Sequence, residues 1–143
     1  MTPPVRTMLS FDVGDGRFQV RPAAIIRRGD HLLIHRATQD TFWALPGGRL
    51  ELTEDLMDGA ARELAEETNI TGVSLVQVGA FGKPGRDPRG RSITVAFLGR
   101  LPAARKEQAK AADDAAEAQW CPIDALPPLA FDHADIIAAA LKL

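Results

Sequence analysis

One cysteine, Cys121, and no tyrosine occur among the 143 residues. A single thiol excludes an intrachain disulfide and any zinc site built on paired cysteines. It also suits a reducing compartment, so the cytoplasm is the expected location. Long apolar runs are missing. Nothing approaches the roughly 18 consecutive apolar residues of a membrane span, and the opening MTPPVRTMLS has no apolar core of signal-peptide length, so no membrane partner is expected. Neither sign of charge dominates: 17 Lys and Arg against 19 Asp and Glu give a formal net charge of −2, which offers no electrostatic basis for gathering nucleic acid. Internal repeats and low-complexity tracts are absent as well. The remaining composition is ordinary, with 45% hydrophobic and 25% charged residues. At this length it predicts one globular domain, 1–143, that buries a core without covalent staples.

The charge is nevertheless unevenly placed. Glu54 to Glu67 holds six acids and one base, and Lys83 to Arg105 holds six bases and one acid. Such runs are usually solvated faces, yet an acidic stretch that holds metal and a basic stretch that holds phosphates would look the same. Periodicity places both runs on elements. Residues 1–16 read as an irregular lead-in. Strands are expected at 17–28 and 31–36 across a Gly29-Asp30 turn. A loop covers 37–48, and RLEL leads to a helix with Thr53 as N-cap and Glu54 and Asp55 in the first turn. Leu56, Met57, Ala60, Ala61, Leu64 and Ala65 recur at helical spacing to about Thr68, where Asn69 takes the left-handed terminal position. Strands at 73–81, 91–101 and 117–123 follow, with a Gly/Pro-rich loop at 82–90 and a charged connector at 103–115. A helix at 133–143 closes the chain. This order implies an α/β fold with helices packed on a mixed sheet.

The segment RELAEE sets Glu63, Glu66 and Glu67 at i, i+3 and i+4, within one ~100° sector of the helix. Two unpaired carboxylates ~5 Å apart repel by roughly 3 kcal/mol at an effective dielectric of 20. In sequence only Arg62 is close by as a cation, displaced to the flank. Hard divalent cations would offset the repulsion through oxygen ligands. The plainer alternative is a hydrated acidic face. Against it, Glu66 and Glu67 fall in the last turn, where the helix dipole disfavours anions.

The string GGRLELTEDLMDGAARELAEETNI (47–70) resembles the Nudix box, which reads G, five residues, E, seven residues, then R-E-aliphatic-x-E-E-x-G-aliphatic. Gly48, Glu54, Arg62, Glu63, Leu64, Glu66, Glu67 and Ile70 meet that spacing, and WALPGG lies just upstream. Asn69 stands where the family usually has Gly, a mild departure because Asn also tolerates the left-handed conformation. The resemblance implies an α/β/α sandwich around a mixed sheet. It implies metal-binding carboxylates at Glu63, Glu66 and Glu67, with Gly48 letting the backbone approach metal or phosphate. Glu54 and Arg62 match a structural pair. The implied reaction is water attack on a pyrophosphate with Mg²⁺ or Mn²⁺ as cofactor, and the implied partner is a small nucleotide. Gly59, inside the helix, is read as a close-packing position.

Residues 79–99, most sharply GRDPRGR, and residues 112–133 are similar to a subgroup that includes ADP-ribose pyrophosphatases. This resemblance implies cleavage of ADP-ribose to AMP and ribose 5-phosphate. The alternatives are a (d)NTP pyrophosphohydrolase, a nucleotide-sugar hydrolase, or a sensor that binds without turnover. Related regulators carry an added DNA-binding domain. Here the chain stops at Leu143 after the closing helix with the three glutamates intact, so an enzyme is expected. Arg86, Arg89 and Arg91 are candidates for phosphate or terminal ribose; the competing reading is that Asp87 pairs with a neighbouring Arg to shape the loop. Phe42, Trp43 and Phe131 are candidates to stack on a base, against simple core packing. His133 is a weak catalytic candidate beside Asp132, whose plainer role is a helix cap, and His31 and His35 read as structural. The general base is sought in Glu66 or among Asp113, Asp114 and Glu117. A homodimer is a further expectation.

Overall fold

The computed structural model describes residues 6–37, 40–105 and 115–143. Among the described residues the elements are β1 (Ser10–Val13), β2 (Gly16–Arg28), β3 (His31–Ala37), α1 (Leu56–Thr68), β4 (Leu75–Phe81), β5 (Arg91–Arg100), β6 (Ala115–Pro122) and α2 (His133–Ala140), with a 3₁₀ turn at Ile123–Ala125. The sheet order is β4-β5-β2-β3-β6, and β1 pairs with β2 outside that path. β2 and β5 run parallel from Phe18↔Arg91 to Arg27↔Arg100, whereas β4–β5, β2–β3 and β3–β6 are antiparallel. The sheet is therefore mixed, as the element order implied.

Alternation along β2 explains the layering, because successive side chains of a strand point to opposite faces. Ala24 and Ile26 join Leu33, Leu64 and Ile70 under α1, and Ile25 joins Leu98, Ile136 and Ile137 under α2. Both faces are covered, one by each helix. Among the described residues no helix is long and apolar enough to cross a membrane.

One irregularity positions the site. β2 and β3 pair only at Arg27↔Leu32 and Arg28↔His31, then part. The segment around 44–48 fills the gap. Ala44 and His35 exchange backbone hydrogen bonds of 2.8 and 2.9 Å, Ala24 N–H donates to Pro46 O at 2.8 Å, and Gly48 N–H to Pro22 O at 3.3 Å. A Cβ on Gly47 would lie 2.8 Å from Pro22 O, so only glycine lets this loop lie against β2.

Three sequence expectations need correction. The lead-in is not wholly irregular: Ser10–Val13 forms a hairpin with β2 around Gly14, which has φ +56°, and Phe11 packs on Phe18 at 5.3 Å between centroids. The GDG turn after FDV was the available signal. The first helix starts at Leu56 behind Asp55, which makes no side-chain capping bond, so Thr53 is not the cap. Glu54 stays outside the helix because its carboxylate is held by Arg62 and by the Glu51 amide. At the other end Asn69 has φ +63° and its N–H returns to Ala65 O, as expected. The second helix ends at Ala140 rather than at the terminus.

Candidate active site

α1 buries Gly59, Ala60, Leu64 and Thr68 against the sheet, which turns its glutamates toward the Gly47-Gly48 loop. Gly59 packs closely: a Cβ there would come 2.9 Å from Pro22 Cγ and 3.0 Å from Leu50 Cδ1. Gly47 N–H donates to Glu67 Oε1 at 2.7 Å, and His35 Nε2 lies 3.1 Å from Glu67 Oε2. The Glu63 carboxylate rests directly on Gly48, where a Cβ would sit 2.4 Å from both Cδ and Oε1. Any side chain at 48 would push Glu63 away.

Arg62 does not stay at the flank. Its Nε and Nη2 donate to Glu54 at 2.9 and 2.6 Å, its Nη1 to Glu63 Oε1 at 2.8 Å, and its Nη2 also to Arg49 O at 3.1 Å. Nη1 is 3.4 Å from Glu66, and Arg6 Nη2 is 3.3 Å from the other oxygen of Glu66. The hydrogen bonds from Arg62 hold the Glu54 carboxyl below its ordinary range despite its burial. Glu67 has no such cation. Burial, then the charge of Glu63, pushes it up to about 8. Burial likewise lowers the neighbouring His35 imidazole. Among the described residues no three His, Cys, Asp or Glu side chains are arranged as a ready metal cage; Arg62 occupies the space between Glu63 and Glu66.

A cavity of about 300 Å³ adjoins this cluster. Glu67, Gly47, Gly48 and His35 line it from the α1 side, and Arg21, Thr94, Leu45 and His133 from the α2 side. Phe42 and Phe131, 6.1 Å apart between centroids, complete the wall. Phe131 is held at φ +47°, a left-handed backbone that costs a non-glycine residue roughly 1–2 kcal/mol. His133 Nδ1 accepts the Leu45 N–H at 3.1 Å, and burial, then the charge of Arg86, pushes its imidazole down to about 4. The ring is therefore neutral, with its proton on Nε2. Trp43 lies outside the wall: Arg36 covers its ring at 5.2 Å, and its backbone pairs with Pro128 and Ala130.

The three loop arginines separate. Arg86 is 3% exposed and forms a two-point pair with Asp132, Nε–Oδ2 2.8 Å and Nη2–Oδ1 2.6 Å. It ties the loop to the start of α2 and does not line the cavity. Asp132 makes no side-chain capping bond, because its carboxylate is used on Arg86. Arg89 does line the cavity, stacked 4.8 Å over Phe131, but it pairs with buried Asp87 at 2.9 and 3.0 Å. Arg91 is exposed and donates to Gly82 O at 2.6 Å. The loop-shaping role of Asp87 is thus present. Of the base candidates, Glu117 pairs with Arg36 on the β3–β6 edge, and Asp113 and Asp114 lie outside the described residues.

Sequence reasoning missed Arg21. It sits on β2 on the same face as Gln19, Ala23 and Ile25, where Gln19 and Ile25 are buried. Its Nη1 donates to Gln19 Oε1 at 3.2 Å. An arginine at period 2 from inward-facing residues was the signal.

A NUDIX domain model matches residues 17–140. Over 138 residues the chain is 34% identical to an ADP-ribose pyrophosphatase of Methanocaldococcus jannaschii, covering 88% of this chain and 77% of that protein. It is 36% identical over 140 residues to the ADPR responsive transcriptional repressor NtrR of Acinetobacter baylyi, covering 93% of this chain and 50% of the repressor. Among solved structures it is similar to a bifunctional NMN adenylyltransferase/ADP ribose pyrophosphatase of Francisella tularensis complexed with AMP and Mn ion. There the identity is 29% and the TM-score 0.75, over 87% of this chain and 41% of that one. The chain thus spans half or less of these last two proteins.

Proposed function

The chain belongs to the NUDIX domain family, and from that premise we propose that it hydrolyses ADP-ribose at the pyrophosphate to AMP and ribose 5-phosphate, using Mg²⁺ or Mn²⁺. The observation that carries this reading is the adjacency of two unlike environments. A carboxylate cluster short of cations meets a cavity walled by Phe42, Phe131 and two arginines. One end suits a cation and phosphates; the other suits a nucleoside.

The residues fit a hard divalent cation. Glu63, Glu66 and Glu67 offer only oxygen donors, as Mg²⁺ and Mn²⁺ prefer. The Gly48 cradle, which a Cβ would fill, keeps Glu63 against the loop, and burial, then the charge of Glu63, raises the Glu67 carboxyl, which has no arginine within ion-pair distance among the described residues. When bound, the cation supplies Lewis acidity toward phosphate oxygens and acidifies a water. The chain does the rest. Gly47 N–H and His35 fix Glu67, and the Glu54–Arg62 pair fixes Glu63 from behind. Glu66, the most exposed of the three, is the proposed acceptor of the proton of an attacking water; Asp113 and Asp114 are the other candidates. Phe131 and Phe42 take the flat face of a base, and Arg89 reaches toward the phosphates. The A. baylyi relative supports a second reading, a sensor that binds ADP-ribose without cleaving it.

The deciding experiment offers ADP-ribose, nucleotide sugars and each (d)NTP with Mg²⁺, Mn²⁺ or EDTA, and identifies both products. AMP with ribose 5-phosphate from ADP-ribose as the best substrate, abolished by EDTA, is the expected result. Faster turnover of a (d)NTP overturns the substrate, and tight binding of ADP-ribose without products establishes the sensor.

A further inference from the structure

Among the described residues Arg21 is a cation with no carboxylate within ion-pair distance, although the charges of Asp87, Glu63 and Glu67 reach it. An arginine stays charged at any working pH, and leaving such a charge partly buried without a partner is costly unless an anion arrives. The other arginines near the cavity are paired with carboxylates. Arg86 has Asp132, Arg89 has Asp87, and Arg62 has Glu54 and Glu63. Arg21 has only the neutral Gln19 amide oxygen, among the described residues, and no carboxylate within ion-pair distance. It nevertheless lines the cavity together with Glu67, Thr94 and Arg89. Burial, then the nearby charge of Arg89, lowers it to about 10, so it remains cationic. Its backbone is well anchored: Arg21 is in register with Thr94 of β5, and the next residue, Pro22, accepts the Gly48 amide. The guanidinium is therefore held between the Gly47-Gly48 loop and the aromatic wall by a rigid strand, with Gln19 its one hydrogen-bond partner among the described residues.

We propose that Arg21 takes a phosphate oxygen of the substrate's pyrophosphate and so sets where the scissile linkage lies relative to Glu63, Glu66 and Glu67. This rests on the pyrophosphatase reading above. It also moves phosphate recognition from the loop arginines to the strand beneath them. Gln19 acts as the positioning residue, limiting the rotamers of Arg21 through one hydrogen bond.

The test uses ligands that are not hydrolysed. Calorimetry with Mg²⁺ compares AMP, ribose 5-phosphate and adenosine on wild type, Arg21→Gln and Arg21→Lys, with Mn²⁺ affinity followed by electron paramagnetic resonance in the same variants. A charged hydrogen bond is worth about 1.5–3 kcal/mol, so Arg21→Gln should weaken AMP or ribose 5-phosphate by roughly tenfold to a hundredfold. Adenosine and Mn²⁺ affinities should stay unchanged, and Arg21→Lys should fall between. Melting temperatures show which variants are folded; if Arg21→Gln does not fold, Arg21→Lys carries the same comparison. Equal weakening of adenosine and AMP, or a parallel fall in Mn²⁺ affinity, overturns the proposal, since Arg21 would then shape the cavity or the carboxylates. Phosphate ligands bound equally by wild type and Arg21→Gln also overturn it, with the pyrophosphatase reading intact. Wild type that binds neither AMP nor ribose 5-phosphate, and releases neither from ADP-ribose, overturns both.

Discussion

The acidic helix and the basic loop look like mirror images in sequence, and the folded protein treats them oppositely. In the 82–90 loop both arginines are paired with carboxylates: Arg86 is locked on Asp132 at the start of α2, and Arg89 on Asp87 within the loop. On α1 the matching stops short. Arg62 serves Glu54 and Glu63 and reaches Glu66, while Glu67 is left with a backbone amide and a neutral imidazole and rises to about 8. Charge density therefore does not mark the working site; charge left without compensation does. By that criterion the helix supplies half of the proposed site, and Arg21, which lines the adjoining cavity from β2, supplies the other half.

The largest expected effect tests the uncompensated side. Glu67→Gln should lower kcat by about 10²-fold or more, because a charge that holds the cation is lost. The metal-free variant should melt higher than wild type, since a buried like-charge repulsion is removed, and added Mg²⁺ should no longer raise its melting temperature. Near-normal kcat in Glu67→Gln would return the triad to the status of a solvated face.

The next effect tests the compensated side. Arg86→Ala removes one member of a buried pair and should cost about 3 kcal/mol, or roughly 10 °C in melting temperature for a chain of this size. What folds should retain most of its activity. A raised KM with unchanged stability would instead place Arg86 on the substrate.

How far these roles could be read in advance depended on sequence distance. Glu54, Arg62, Glu63, Glu66 and Glu67 sit on one helix and its lead-in, so helical geometry alone gathers them. Arg86 and Asp132 come from different elements that only the sheet brings together, so neither the pair nor the missing cap was visible locally. Trp43 and Phe42 are adjacent on a loop, and local pattern does not tell which ring faces the cavity; the inserted strand-like segment at 44–48 decides it. The mixed sheet and both helices were legible from periodicity, whereas β1 was missed because four residues give too little alternation against an irregular start.

A smaller effect concerns acid. The Asp132 carboxyl is pushed up by burial but held below its ordinary value by the hydrogen bonds and charge of Arg86, and the hydrogen bonds from Arg89 do the same for Asp87. A depressed folded pKa contributes stability that is present above the unfolded value and is lost as pH falls through the folded one. Denaturant titrations should therefore show a constant stability gap between wild type and Asp132→Asn above about pH 5, closing below about pH 4. A gap that persists undiminished at lower pH would mean that the pair contributes shape rather than charge.

The smallest effect belongs to Arg89, the one of the three loop arginines that lines the cavity. It lines the cavity and stacks on Phe131, but its side chain is 48% exposed and its charge is largely spent on Asp87. Screening and pairing leave little pull on a phosphate. Arg89→Ala should raise KM for ADP-ribose by only about three- to tenfold, the range of one weak charged contact plus a lost stacking surface. kcat should be nearly unchanged, because such a contact forms before the transition state. Asp87→Asn sharpens the comparison. The amide keeps an acceptor for the Arg89 N–H, which now bonds Asp87 at 2.9 Å, but it frees the guanidinium. If compensation is what silences this loop, Asp87→Asn should lower KM for ADP-ribose, and Arg89→Ala in the same background should cost more than it does in wild type. Additive effects of the two substitutions would show that the Asp87 charge never restrained Arg89, and the contrast between helix and loop would then rest on Arg86 alone.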